Sequence, residues 1–142
     1  LEVLTIYSAA HGVIAQLAAT EGRVAEAVAV QERIRDAAQR LLDRRGDSAE
    51  VRAQLAGAAN GLVQAHRLAG DDDKALAAGE AGLPHVERGL AIDARDPVLR
   101  QLAATLHTRV ALLRLSTGDF EGGVAALRKM ARRSDLGEDC RE

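Results

Sequence analysis

The chain has 142 residues, 47% of them hydrophobic and 28% charged, with a formal charge of −2, one Tyr, one Phe and no Trp. Domains average roughly 100–200 residues, so one domain is expected, and these fractions exclude a disordered chain. The near-neutral balance leaves no basic footprint for nucleic acid, and no apolar stretch approaches the ~20 residues that cross a bilayer. The 29 alanines and 19 leucines favour helix, and strand-favouring residues are scarce, which argues against all-β and α/β folds. A single Cys allows no internal disulfide and, with no signal peptide in view, points to the cytoplasm. The chain starts at Leu1 and its only methionine is Met130, so it reads as a piece of a larger protein. The excess of Arg over Lys, 17 to 2, reads as the codon bias of a GC-rich genome.

Apolar spacing predicts six helices. The first, about 2–20, carries Ile6, Ala10, Ile14, Leu17 and Ala18, and Gly22 ends it as a left-handed cap. The second, about 23–45, carries Val24, Ala27, Val28, Ile34, Ala38, Leu41 and Leu42, interrupted by Gln31, and closes on Arg44–Arg45. Asp47 or Ser48 can cap the third, about 49–69, whose apolar face opens at Val51. The fourth, about 72–93, opens with Asp71–Asp73, carboxylates that complement the helix dipole. It also holds Gly79, Gly82 and Gly89, at ~1 kcal/mol each relative to Ala, and Pro84, at ~3 kcal/mol in a helix interior. A kink or break is therefore predicted near 81–84. The fifth helix spans about 97–117, and the sixth about 119–133, with Asp119 in its first turn and Arg132–Arg133 in its last. Residues 134–142 read as a frayed polar tail.

Self-comparison ties these elements into a repeat. Glu21-Gly22-Arg23, Ala69-Gly70-Asp71 and Thr117-Gly118-Asp119 align, with their glycines 48 residues apart. The same shift superposes Val3, Val51 and Leu99; Ile14, Leu62 and Val110; Val28, Leu76 and Val124; and Ala27, Ala75 and Gly123. Helix pairs joined at a glycine and stacked at a fixed period make an all-α solenoid, here of three antiparallel pairs. One domain over 1–133 follows, with repeats at about 1–48, 49–96 and 97–133.

A small residue, then a glycine opening the second helix, then an alanine, recurs as Ala15-Gly22-Ala27, and in part as Val63-Gly70-Ala75 and Ala111-Gly118-Gly123. This pattern resembles the tetratricopeptide repeat (TPR) family. The usual repeat there is about 34 residues, so the longer period is similar to the long-helix branch of kinesin light chains and bacterial multidomain proteins. Val51-Arg52-Ala53-Gln54-Leu55 and Asp93-Ala94-Arg95-Asp96-Pro97 are especially similar to the bacterial arrays. The family's aromatic positions are mostly filled here by Ala, Leu, Gln31 and Gly79.

The resemblance implies a right-handed superhelix whose first helices line a concave, peptide-binding groove. By position it places Gly12, Gln16, Asn60, Gln64, Arg67, Thr105, Thr108, Arg109 and Leu112 on that groove. Asn60 resembles the groove asparagine of long-helix relatives, whose amide pairs with an extended peptide backbone. Arg109 has forked donors suited to a carboxylate. The lysine clamp of some relatives is missing, since Lys74 and Lys129 fall on second helices.

Candidate chemistry is sparse. His11 and His107 share a repeat position and read as helix-packing residues, while His66 and His85 read as surface residues. No His, Cys and carboxylate spacing matches a zinc site, so no metal is expected. Cys140 has no base beside it and no Gly-Lys-Ser/Thr loop occurs, so neither catalysis nor a cofactor is expected. The expected role is a non-catalytic protein–protein interaction scaffold of a larger regulatory or signalling protein, with a peptide or domain, flanking domains included, as partner. The alternative is homo-oligomerisation, as a homodimer, or interdomain spacing, through Val124, Leu127 and Met130 on an uncapped last helix. Without aromatic anchors, polar contacts of modest affinity are expected.

Overall fold

The computed structural model describes residues 13–138 apart from 16 and 19. The chain is all-helical, with no strand among these residues. Its elements are α1, described within 13–20, α2 (Val24–Arg45), α3 (Ala49–Leu68), α4 (Asp72–Ile92), α5 (Pro97–Ser116) and α6 (Phe120–Glu138). The start expected for the first helix, and Gly12, Gln16, His11 and Cys140, lie outside the described residues.

The repeat is visible first in the caps. Gly22, Gly70 and Gly118 take φ of +76°, +74° and +91°, the left-handed region that a Cβ disfavours. The residue after each glycine donates its N–H five residues back: Arg23 to the Ala18 carbonyl, Asp71 to His66 and Asp119 to Arg114. That is the Schellman closure, made at the same place in each pair. At the helix starts, Ser48 Oγ accepts from the Val51 N–H at 3.2 Å and Asp71 Oδ1 from Lys74 N–H at 3.0 Å. Asp96 Oδ1 accepts from the N–H groups of Val98 and Leu99, with Pro97 at the first helical position. Of the two cap candidates before α3, Ser48 takes the role and Asp47 points elsewhere.

Alanine, glycine and medium aliphatics make the core. One cluster joins Ala15 and Ala18 of α1 to Ala27, Val30 and Ile34 of α2 and to Ala58 and Ala65 of α3. Another joins Ala56 and Val63 of α3, Ala75 and Val86 of α4, and Leu106 and Leu113 of α5. Leu55, Leu99 and Leu106 are fully buried, each contributing about 1.5–3 kcal/mol by transfer from water.

Two expectations are corrected. The break near 81–84 is absent: α4 is helical from Asp72 to Ile92 with Pro84 inside it. Ala75, Gly79, Gly82, Val86 and Gly89 are the buried residues of this helix, a stripe with helical spacing. A Cβ on Gly82 would stand 2.7 Å from Ala59 Cβ, and one on Gly89 2.8 Å from Leu99 Cδ1. The glycines that weaken α4 as an isolated helix let α3 and α5 close on it. Pro84 lies on the exposed side, so the bond it forgoes, to the Glu80 carbonyl, falls away from the packed stripe. Second, α6 continues to Glu138, through residues expected to fray, and its last turn holds no basic residue. Arg132–Arg133 therefore sit in the helix body. Once a helix is nucleated, each added residue gains a backbone bond, and residues 134–138 hold no proline to stop it, so the helix propagates despite the cost of Gly137.

Candidate functional site

The packing order defines two unlike sides. Among the described residues α3 packs on α2 and α4, α5 packs on α4 and α6, and α3 also packs directly against α5, whereas α2, α4 and α6 make no contact with one another. First helices thus form the crowded inner side, and second helices splay outward. Two grooves open between the splayed helices. One, of about 310 Å³, lies between α2 and α4 over Leu55, Ala59 and Leu62. The other, of about 330 Å³, lies between α4 and α6 over His107 and Val110.

On the inner side the structure brings together Asn60 and Gln64 of α3 and Arg109 of α5. Arg109 Nη1 donates to Asn60 Oδ1 at 2.8 Å. With the Gln64 amide turned so that its oxygen faces the guanidinium, that oxygen accepts from Nη1 and Nη2 at 2.9 Å each. Two neutral amides on one helix therefore fix the forked cation of the next. Helical geometry explains the pairing, since Asn60 and Gln64 are one turn apart on a single face.

Burial lowers the pKa of Arg109, and the positive charge of Arg67 lowers it further. Both effects signal a guanidinium short of negative company. Among the described residues neither Arg109 nor Arg67 has a carboxylate in salt-bridge range; the ion pairs that exist lie elsewhere. Thr105 and Thr108 do not join the cluster. Their hydroxyls donate to their own helix, at the carbonyls of Gln101 (2.9 Å) and Ala104 (2.8 Å). Leu112, one turn beyond Arg109, is exposed.

A second polar cluster has no counterpart in the sequence reading. Asp47, in the loop before α3, accepts from Arg52 Nε at 2.6 Å through Oδ1 and from Arg88 Nε at 2.8 Å through Oδ2. These two hydrogen bonds hold the Asp47 carboxyl down to about 2. Arg52 Nη1 also lies 2.9 Å from His85 Nδ1, which accepts from it as neutral imidazole. Burial, then the Arg52 charge, lowers the His85 pKa, while Asp47 opposes the shift. His66 and His85 are half-buried rather than surface residues, and both line the groove between α2 and α4. This cluster staples a loop to two helices. No local spacing announces it, since Asp47 and Arg88 are 41 residues apart.

Among the described residues no group of three or more His, Cys, Asp or Glu could hold a metal ion, and no helix is long and apolar enough to cross a membrane. No protein-family model, curated protein or solved structure matches the chain.

Proposed function

We propose that the chain is a non-catalytic binding module that takes a carboxylate-bearing peptide segment along its first-helix side, in the manner of the long-helix TPR arrays that its repeat resembles. One observation carries this reading: two guanidinium groups, Arg109 and Arg67, share that side with no carboxylate in salt-bridge range among the described residues, and Arg109 is held in place by Asn60 and Gln64. A pre-positioned, partly desolvated fork binds an anion with little ordering cost. Asn60 keeps its amino group for a peptide carbonyl, because its oxygen already serves Arg109. Leu112 supplies an apolar neighbour for the segment.

The test is fluorescence polarisation with a labelled hexaglutamate peptide. Saturable binding that weakens with added salt is expected. Loss of one charge-assisted bond, about 1.5–3 kcal/mol, makes an Arg109→Gln variant roughly 10–100-fold weaker. Equal binding by wild type and by an Arg67→Gln/Arg109→Gln double variant would remove this side from the reading.

A further inference from the structure

An arginine carries five N–H donors in one plane, and a neighbour that takes some of them decides which way the rest face. The Gln64 oxygen lies 2.9 Å from both Nη1 and Nη2 of Arg109, so it fills the notch at the tip of the guanidinium. The other Nη1 proton goes to Asn60, whose Oδ1 is at 2.8 Å and whose carbonyl oxygen is at 3.4 Å. What remains is the Nε proton and the outer Nη2 proton, which lie on one flank and point in parallel. Nε makes no hydrogen bond among the described residues and is not shut off from solvent. Two parallel donors on the flank of a guanidinium match the two oxygens of one carboxylate lying in its plane.

The arrangement occurs once in the chain. One repeat earlier, the positions of Asn60, Gln64 and Arg109 hold Gly12, Gln16 and Gly61, so the repeat itself does not call for the guanidinium. Arg67, one turn beyond Gln64, differs in kind. It is exposed and has no hydrogen bond or ion pair among the described residues, so it offers charge without a fixed direction. Resting on the peptide-binding reading, we infer that the acidic segment is anchored by a single carboxylate, seated side-on against Nε and Nη2 of Arg109. Gln64 is the positioning residue: by filling the tip it bars end-on approach and leaves the flank as the open face. Arg67 adds attraction alone. Lysine can therefore stand in for Arg67 but not for Arg109, because an ammonium has no planar fork.

Nuclear magnetic resonance of the isotope-labelled 142-residue chain, titrated with hexaglutamate, reads the fork directly. The Arg109 Nε–H resonance, assigned through its own side-chain carbons, moves downfield on saturation, and that of Arg67 does not. In fluorescence polarisation Arg109→Lys binds labelled hexaglutamate roughly 10–100-fold more weakly, the loss of one charge-assisted bond. Arg67→Lys stays within about threefold of wild type. Gln64→Met keeps both cations but frees the tip, so binding weakens and the Nε–H displacement shrinks. Each variant is checked by its circular dichroism melt; should Arg109→Lys melt early, the wild-type spectrum decides. A wild type that does not bind hexaglutamate overturns the peptide reading and the anchor with it. Binding that leaves the Arg109 Nε–H in place, or a folded Arg109→Lys that binds as well as Arg67→Lys, overturns the anchor alone.

Discussion

Gly79 of α4 and Val110 of α5 approach so closely that a Cβ on the glycine would stand 2.7 Å from Val110 Cγ2, with Val63 Cγ2 at 3.3 Å on its other side. The helix–helix distance in the middle of the array is set by this missing methyl group. Gly79→Ala gains about 1 kcal/mol of helix propensity but forces packed branched side chains apart, for a net loss of about 1–3 kcal/mol. Gly57 has nothing within 4 Å of the same virtual atom, so Gly57→Ala keeps the propensity gain of about 1 kcal/mol. Urea denaturation of the two variants checks the contrast. Equal stabilisation of both would show that α4 and α5 can separate freely.

Pro84 sits in an unbroken helix and faces outward. Pro84→Ala restores a backbone bond without touching the core. The far-UV circular dichroism signal should stay unchanged while the melting temperature rises, by a stabilisation of up to about 3 kcal/mol. A gain in helical signal would indicate that the helix is interrupted there in solution.

The Asp47–Arg52–His85–Arg88 cluster predicts two acid-sensitive windows. His85 titrates lower in the folded chain than its ordinary 6.5, so the unfolded chain binds the proton first. Stability therefore falls as pH drops through and below 6.5, and His85→Gln flattens that segment. Asp47 is lowered from 3.8 to about 2, so its contribution is complete above 3.8 and is lost as pH falls toward 2. Asp47→Asn removes that second slope. Denaturation midpoints taken between pH ~7 and ~2 separate the two, because the windows follow the folded and unfolded proton affinities. An unchanged profile in either variant would detach that residue from the staple.

Gln31 is the one buried polar residue among the described core, at 9% exposure. Its amide lies directly against Gly61, and no hydrogen bond to its side chain is found among the described residues. The same repeat position holds Gly79 and Leu127 in the later pairs. The amide is not stranded, since neither its oxygen nor its nitrogen is both shut off from solvent and unbonded. Gln31→Met keeps the length of the side chain, so stability should change by less than about 1.5 kcal/mol in urea denaturation. A larger loss would show that the amide makes a bond in solution.

Helix ends were readable in the sequence wherever the chemistry is local. Gly22 marks the first closure and the 48-residue shift carries it to Gly70 and Gly118, and Ser48 was one of two candidates for the α3 cap, whereas the capping by Asp71 and Asp96 emerged only in the structure. The Asn60–Gln64–Arg109 juxtaposition was half legible: helical period and a 48-residue repeat put these residues on one side, but only the packing of α3 on α5 makes them bond. Thr105 and Thr108 show the limit of that reasoning, because a groove-facing hydroxyl can turn back to its own helix. The unbroken α4 was hidden for a tertiary reason. Propensity counts Gly79, Gly82 and Gly89 as losses, while contact with Val110, Leu106 and Leu99 turns them into close-packing sites. Asp47 with Arg88 was out of reach, since nothing within either segment hints at the other.

Among the described residues α2, α4 and α6 make no contact with one another, while α3 packs on α5 and each of α2 and α4 packs on the first helix that follows it. Such an array has a packed spine and an open rim. A change in curvature that narrows or widens the outer grooves has no contact between second helices to break, so the rim yields before the spine does and before any helix unwinds.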